Sequence, residues 1–336
     1  MEAKLVDALP EGPGWRFEPK WDGFRCLALR AGGGPVELRA KSGKPLARYF
    51  PEVAAMLGET AAADFAIDGE LVIPVGGGLS FEALQLRLHP AESRVRRLAG
   101  ETPASLILFD CLASEEDGVL LDQPLRARRS ALERLYARLA PAAPRLRLSP
   151  FTEDRAVAER WLAGVGGALD GVVAKAADGP YRPGERAMLK VKRKLTADCV
   201  VGGFRYEHDS RLVGSLLLGL YDADGRLNHV GFTSTIADAE RPALTRRLEA
   251  LAGGPGFTGD APGGPSRWST ERSAEWTPLR PELVVEVLYD QVTGGRFRHG
   301  TRLLRERPDK AADQCTCDQL APPAKPPALV AELIGS

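Results

Sequence analysis

Residues 18–25 read "EPKWDGFR". Lys20 stands between Glu18 and Asp22, with Gly23 and Arg25 close behind. A free lysine titrates at about 10.4, so at pH 7 roughly one amine in 2500 is neutral. Attack by such an amine starts ~4.6 kcal/mol down, at 1.36 kcal/mol per pK unit. Flanking acids make this worse. Other cations, or loss of solvent, are needed to offset it. Alone, "KWDG" reads as an exposed strand end with a surface lysine. It reads as chemistry only if distant segments bring cations to Lys20, and Arg186, Lys190 and Lys192 are available further along the chain.

Working outward, the stretches "WRFEPK", "RCLALR", "PVELRA", "DFAIDGELVIP" and "ASLILFDCLA" alternate or run apolar between Gly/Pro breaks, the pattern of strands. "SFEALQLRLHPAESRVRRLAG" predicts two short helices broken near Pro90. "PLRARRSALERLYARLA" spaces Leu125, Leu132, Leu135 and Leu139 at helical intervals. "TEDRAVAERWLAGVGGALDG" predicts a helix with acids in its first turn and glycines at its end. Two more strands follow, "GVVAKAA" and "AMLKVKR". This is mixed α and β with antiparallel character rather than strict βαβ alternation. Beyond Lys194–Ala197 the chain is mostly strand, with one helix in "DAERPALTRRLEALAG" and a hairpin signal at Asp224-Gly225. That content suits a small barrel of the oligonucleotide-binding type, which pattern alone does not separate from a small sandwich. "GGPGFTGDAPGGPSRWST" reads as a surface loop, and "APPAKPP" as a linker or tail.

The 336 residues suggest about two domains. Lys+Arg 45 against Asp+Glu 45 gives zero net charge, so any nucleic-acid site must come from local clustering. The five cysteines are an odd, scattered set, which argues against a secreted disulfide framework and fits a reducing cytosol. Cys315 and Cys317 lack a second pair and read as plain thiols rather than half a zinc site. No apolar run is long enough to span a membrane, and "MEAKLVDALPEGPGW" has no apolar signal core. His89, His208, His229 and His299 show no metal spacing. A P-loop is absent, and "GVGGALDG" has Leu169 where a dinucleotide fingerprint needs its third glycine.

Lys20 does have company. "EPKWDGFR" holds Lys-x-Asp-Gly-x-Arg, and "LRAKSGK", "AIDGELV", "SLILFDCL", "LDGVVAK", "MLKVKR" and "RERPDK" follow in order. The series resembles the nucleotidyl-lysine signature and succeeding motifs of ATP-dependent DNA ligases, and among them the small bacterial repair type. The resemblance covers nearly the whole chain. It implies an α+β fold: a nucleotidyltransferase (adenylation) domain with antiparallel sheets at 1–195, an all-β OB-fold barrel at 196–322, and a tail at 323–336. It further implies three steps. Lys20 attacks the α-phosphate of ATP, AMP passes to the 5′-phosphate of a nick, and the 3′-hydroxyl displaces AMP.

The resemblance also assigns roles. Lys20 is the catalytic nucleophile. Glu18, two residues earlier on a strand, shares its face and meets the adenine edge. Asp22 serves the later steps, Gly23 permits a sharp turn, and Arg25 holds the ribose or the nick end. Arg25 has a plainer role open to it as an ion-pair partner of Asp22. Glu70 and Asp170, on separate strands, are the candidates for Mg²⁺ or Mn²⁺, since phosphoryl transfer wants a hard cation on oxygen ligands. Glu70 also touches the ribose. The family more often has Glu where Asp170 stands, which favours a water-bridged contact there. Phe109 becomes the stacking platform for adenine. Lys190 and Lys192 alternate on one strand and face one side, toward the α-phosphate. Arg186 contacts the nucleotide. Lys41 stands where the family carries arginine, and lacks the bidentate fork. Arg307, Asp309 and Lys310 orient pyrophosphate and later move away to admit DNA.

The implied partner is nicked double-stranded DNA, held through Lys44, Arg48, Arg94, Arg96 and Arg97. End-joining or excision-repair proteins are further expected partners. The chain is expected to act as a monomer at the nucleoid of the cytoplasm, away from membranes. Two rival readings stand beside this one. The first is an RNA ligase or capping-type guanylyltransferase of the same superfamily. The second is a non-catalytic nucleic-acid-binding protein on that fold.

Overall fold

A computed structural model describes residues 1–164, 169–263 and 275–321. Met1–Arg193 form one compact unit, and a second begins at Lys194.

In the first unit the chain runs through β1 (Ala3–Leu5), β2 (Trp15–Trp21), β3 (Phe24–Arg30), β4 (Glu37–Ala40), α1 (Pro51–Gly58), β5 (Phe65–Val72), α2 (Phe81–Arg87), α3 (Glu92–Glu101), β6 (Ser105–Ser114), α4 (Leu125–Leu139), β7 (Leu146–Leu148), α5 (Arg155–Ala163), β8 (Leu169–Ala176) and β9 (Met188–Lys192). These strands make two sheets, ordered β1-β9-β8-β2 and β7-β6-β5-β3-β4. Pairing is antiparallel except at β1–β9 and β6–β7.

Period-two alternation gives each sheet one apolar face. Phe17, Val172, Ala174 and Val191 of the first sheet pack with Ala158 and Trp161 of α5. In the second sheet Cys26, Ala28, Ile67, Leu71, Leu106 and Leu108 bury against α1, α2 and α4. The opposite faces of the two sheets meet each other. Trp21 and Leu169 from one touch Val72 and Ile107 from the other, which shuts one end of the cleft with an apolar plug. Polar residues line the rest.

Helix ends follow local chemistry. The Ser80 hydroxyl caps α2 by accepting from the Ala83 amide, and Pro90 lies between α2 and α3 as expected. The acids before α5 do not sit in its first turn. Asp154 is its N-cap, accepting from the Ala156 amide at 2.8 Å.

The second unit contains β10 (Leu195–Tyr206), β11 (Val213–Tyr221), β12 (Leu227–Thr233), α6 (Arg241–Ala250), β13 (Val284–Tyr289) and β14 (Arg302–Glu306). The sheet order is β12-β11-β10-β13-β14. A parallel bridge between Thr233 and Thr301 joins its two edges, with the Thr301 amide donating to the Phe232 carbonyl at 2.9 Å. The sheet is therefore a closed five-stranded barrel, with its helix between the third and fourth strands. This is the oligonucleotide-binding architecture and excludes the sandwich. The stretch expected as a surface loop at 253–270 is partly core: Phe257 is buried in the barrel interior, and the His229 amide donates to the Asp260 carbonyl. The expected tail at 323–336 lies outside the described residues. All five cysteines are free thiols. Among the described residues no helix is long and apolar enough to cross a membrane.

Candidate active site

Lys20 sits near the end of β2, one side of the cleft between the two sheets. Register fixes its neighbours. Lys20 pairs with Gly171, which pairs with Lys192; Glu18 pairs with Val173, which pairs with Lys190. Two rows of side chains thus cross the first sheet on one face. Gly171 makes the first row possible. A Cβ there would meet the Val191 carbonyl oxygen at 2.0 Å, and its φ of +149° suits glycine.

A β-bulge aims Asp170. Leu169 pairs with Trp21 and Gly171 with Lys20, so Asp170 is the extra residue. Its carboxylate contacts the Lys20 ammonium and lies 3.2 Å from the Lys192 Nζ. The other carboxylate oxygen, Oδ1, is buried and accepts no hydrogen bond. A second bulge does the same for Phe109: Asp68 pairs with Asp110 and Gly69 with Leu108, leaving Phe109 unpaired and turned into the cleft.

A cavity of about 260 Å³ opens between the sheets. Glu18, Lys20, Arg25, Lys41, Glu70, Phe109 and Lys190 all line it. Asp170 and Lys192 flank Lys20 through the contacts just given. Arg186 is exposed and is not among the lining residues, so it is not brought to the cavity as expected. Arg307 and Lys310 belong to the barrel unit. There the Asp198 carboxylate holds both, at 2.8 and 2.9 Å, and Asp309 pairs with Arg307 at 2.8 Å.

Charge in the cavity is unevenly balanced. Glu18 is almost wholly enclosed and pairs with Lys175 at 2.8 Å. Lys41 pairs with Glu2 at 2.8 Å. Arg25 makes a two-bonded fork with Asp68 at 3.0 and 2.6 Å and also donates to the Tyr181 hydroxyl at 3.1 Å. Its ion-pair partner is therefore Asp68 and not the expected Asp22. Lys20 and Lys192 share Asp170, and Lys190 stands beside them. Loss of solvent, then the Lys20 and Lys192 charges, push the Lys190 ammonium below its ordinary value. Desolvation raises the Glu70 carboxyl to about 8 against the pull of Lys20. Lys20, Lys190 and Lys192 bring their positive charge together beside the cavity. Such a site attracts a polyanion.

The side chain missed in the sequence is Lys175. It lies over the Phe109 ring at 4.8 Å and donates to the Phe109 carbonyl at 3.3 Å, while holding Glu18. Parity gave the signal: Lys175 is two residues beyond Val173, so it shares the face that carries Glu18 and Lys20. Gly23 also differs from its expected role. Its backbone is not left-handed; a Cβ would meet the Leu71 carbonyl oxygen at 2.2 Å, so close approach of β5 demands the glycine. Among the described residues no group of three or more His, Cys, Asp or Glu gathers as a metal cluster.

Comparison with known proteins extends these findings. Residues 3–192 match the ATP dependent DNA ligase domain, and residues 209–310 match the ATP dependent DNA ligase C terminal region. DNA ligase C2 of Mycolicibacterium smegmatis is 44% identical, across 96% of this chain and 94% of that one. DNA ligase C of Mycobacterium tuberculosis is 43% identical, across 96% and 93%. A solved structure from work on Lig E DNA ligases superposes with a TM-score of 0.55, at 18% identity, over 91% of this chain and 99% of that one. At that identity the likeness is one of fold alone.

Proposed function

The chain belongs to the ATP-dependent DNA ligase family, and from that premise we propose that Lys20 is the amine that takes AMP from ATP and hands it to the 5′-phosphate at a DNA nick. The observation that carries this reading is the convergence of Lys20, Glu70, Phe109 and Lys190 on one cavity.

In the first step the Lys20 nitrogen bonds to the α-phosphorus, the bond to the bridging oxygen breaks, and pyrophosphate leaves with its electron pair. The amine must first lose a proton. Asp170 accepts from the ammonium in the resting site, Lys190 and Lys192 stand beside it, and the proton passes to solvent before attack. Binding of the triphosphate draws Lys190 and Lys192 toward its oxygens, where they offset the charge that builds on the leaving group. Phe109 offers its ring to the adenine, and the Lys175 ammonium lies over that ring in the same cavity. Glu18, fixed by Lys175, presents an acceptor to the base edge. Arg25 and Glu70, paired across β3 and β5, lie where the ribose would sit. In the second step the nick phosphate oxygen attacks the same phosphorus and the P–N bond breaks. In the third, the 3′-hydroxyl displaces AMP.

The unpartnered Oδ1 of Asp170, and Glu70 once the ion displaces its proton, fit the hard oxygen ligands that Mg²⁺ or Mn²⁺ takes. Such an ion would neutralise phosphate charge in the site when bound. On the barrel, Arg307 and Lys310 are the proposed pyrophosphate contacts, released from Asp198 when they act. The role is nick sealing in DNA repair, by a monomer, with end-joining or excision-repair proteins as further partners.

Incubation with labelled ATP or GTP, followed by a chase with nicked DNA or nicked RNA, tests the reading. The expected result is an acid-labile adduct from ATP that nicked DNA discharges into sealed product. Lys20→Ala removes the adduct and leaves the protein folded. An adduct that survives Lys20→Ala overturns the assignment. Adducts formed from GTP, or discharged by RNA alone, favour the superfamily rivals.

A further inference from the structure

The row of side chains that passes Glu70 does not stop at the cavity. Glu70 on β5 pairs with Ile107 on β6, and Ile107 pairs with Arg147 on β7. Arg145 is two residues earlier on the same parity. Strands lie about 4.8 Å apart, so Arg147 is roughly 10 Å from Glu70 along one sheet face. There a separate groove of about 430 Å³ opens, walled by Val72, Val75, Thr102, Ile107, Arg145 and Arg147.

Arg145 is the unusual member. Its Nε is buried and meets no acceptor, and among the described residues its side chain has no ion-pair partner. Enclosing a guanidinium donor without an acceptor costs stability, so its retention asks for an acceptor from outside the chain. Glu101 lies in the same groove, but its carboxylate is held by Arg97 at 2.9 Å. Of the helix cations expected to hold DNA, Arg96 is tied to Glu92 at 2.6 Å and Arg97 to Glu101 at 2.9 Å. Arg145 is half-buried overall, and its two terminal nitrogens, which are not among the enclosed unpartnered atoms, can meet a phosphodiester side by side.

We propose that the Arg145–Arg147 groove is a phosphate-binding subsite for the DNA backbone flanking the nick, on the sheet face that carries Glu70. This rests on the ligase reading above. It assigns Arg145 a positioning role, sequence-independent and remote from the chemistry. The groove acts on the nick-dependent steps and leaves the ATP step alone.

The test uses the whole chain and a nicked duplex with a dideoxy 3′ end, which cannot be sealed. Arg145→Ala should form the AMP adduct at the wild-type rate, which also reports correct folding. Its affinity for the nick should fall about tenfold, and the slope of log affinity against log salt should drop by about one. Arg145→Lys should restore most of the slope, because the charge remains. Neutral methylphosphonates placed singly along both strands around the nick then locate the contact. At one position wild type should fall to the Arg145→Ala level, and the variant should lose nothing more. A normal adduct with an unchanged salt slope overturns the proposal, as does equal loss at every methylphosphonate. Absence of an ATP adduct in the wild type is a different failure, and it falls on the ligase reading.

Discussion

The two units solve different problems with their charged residues. The barrel interior is apolar, built on Val200, Val201, Phe204, Leu216, Leu217, Leu218 and Val285. Ion pairs such as Arg305–Glu286 and Arg247–Glu306 stand at its surface, and Asp198 with Arg307 and Lys310 is half-buried at its edge. The first unit instead encloses charge. Arg128 and Asp110 are 0% and 2% exposed and joined by two bonds, at 2.8 and 3.0 Å. Glu18–Lys175, Arg25–Asp68 and Arg87–Glu52 are other enclosed pairs. A barrel can rely on apolar burial. A cleft that must hold a nucleotide needs polar groups fixed in place before the ligand arrives, and each needs a partner. Stability in the first unit is therefore more sensitive to single charge deletions.

That contrast can be broken most directly at Arg128. Arg128→Ala leaves Asp110 buried and unpaired, and the expected loss is about 3–5 kcal/mol. Denaturant unfolding should show a lower midpoint for the first unit. A change below ~1 kcal/mol would mean that the enclosed pairs matter no more than those of the barrel. Next in size, Phe109→Ala should weaken ATP use in adduct formation by about 5–150-fold, from ~1–3 kcal/mol of lost stacking. The measurement is the ATP concentration at half-maximal adduct rate.

Glu70 sharpens the comparison through pH. An ordinary glutamate titrates near 4.5, whereas Glu70 titrates near 8 because it is desolvated. Between those values the folded chain keeps a proton that the unfolded chain has lost, so stability falls as pH rises. Glu70→Gln removes this slope. The variant should gain on wild type from pH 4.5 to 8 by about 1–2 kcal/mol, since the side chain is only partly enclosed, while losing activity. Thermal melts across that window check it, and parallel curves would contradict the desolvated carboxyl. The smallest effect belongs to the barrel surface. Arg305→Ala should change stability by about 0–1 kcal/mol, read by the same unfolding curves.

Much of this architecture was legible in the sequence, because alternation in "WRFEPK", "AIDGELV" and "MLKVKR" marks both a strand and its polar face. The parity argument placed Glu18 with Lys20 and Lys190 with Lys192. What stayed hidden depended on register between distant strands. Nothing local says that Asp170 and Phe109 are bulge residues, yet the bulges turn them into the cleft. Arg25 took Asp68 rather than nearby Asp22, because β3 and β5 lie side by side and Asp68 shares the parity of Glu70. Lys175 needed only the reasoning already applied to Lys190. Arg186 shows the reverse: nearness in sequence to Lys190 did not carry its side chain to the cavity.

Mass-spectrometric mapping of the nucleotide adduct would decide the matter. Protein incubated with ATP should yield one modified peptide, heavier by AMP, with the P–N bond on the Lys20 nitrogen. AMP found on Lys175, Lys190 or Lys192 instead, or no covalent nucleotide on a folded chain supplied with ATP and a divalent metal, would contradict the account.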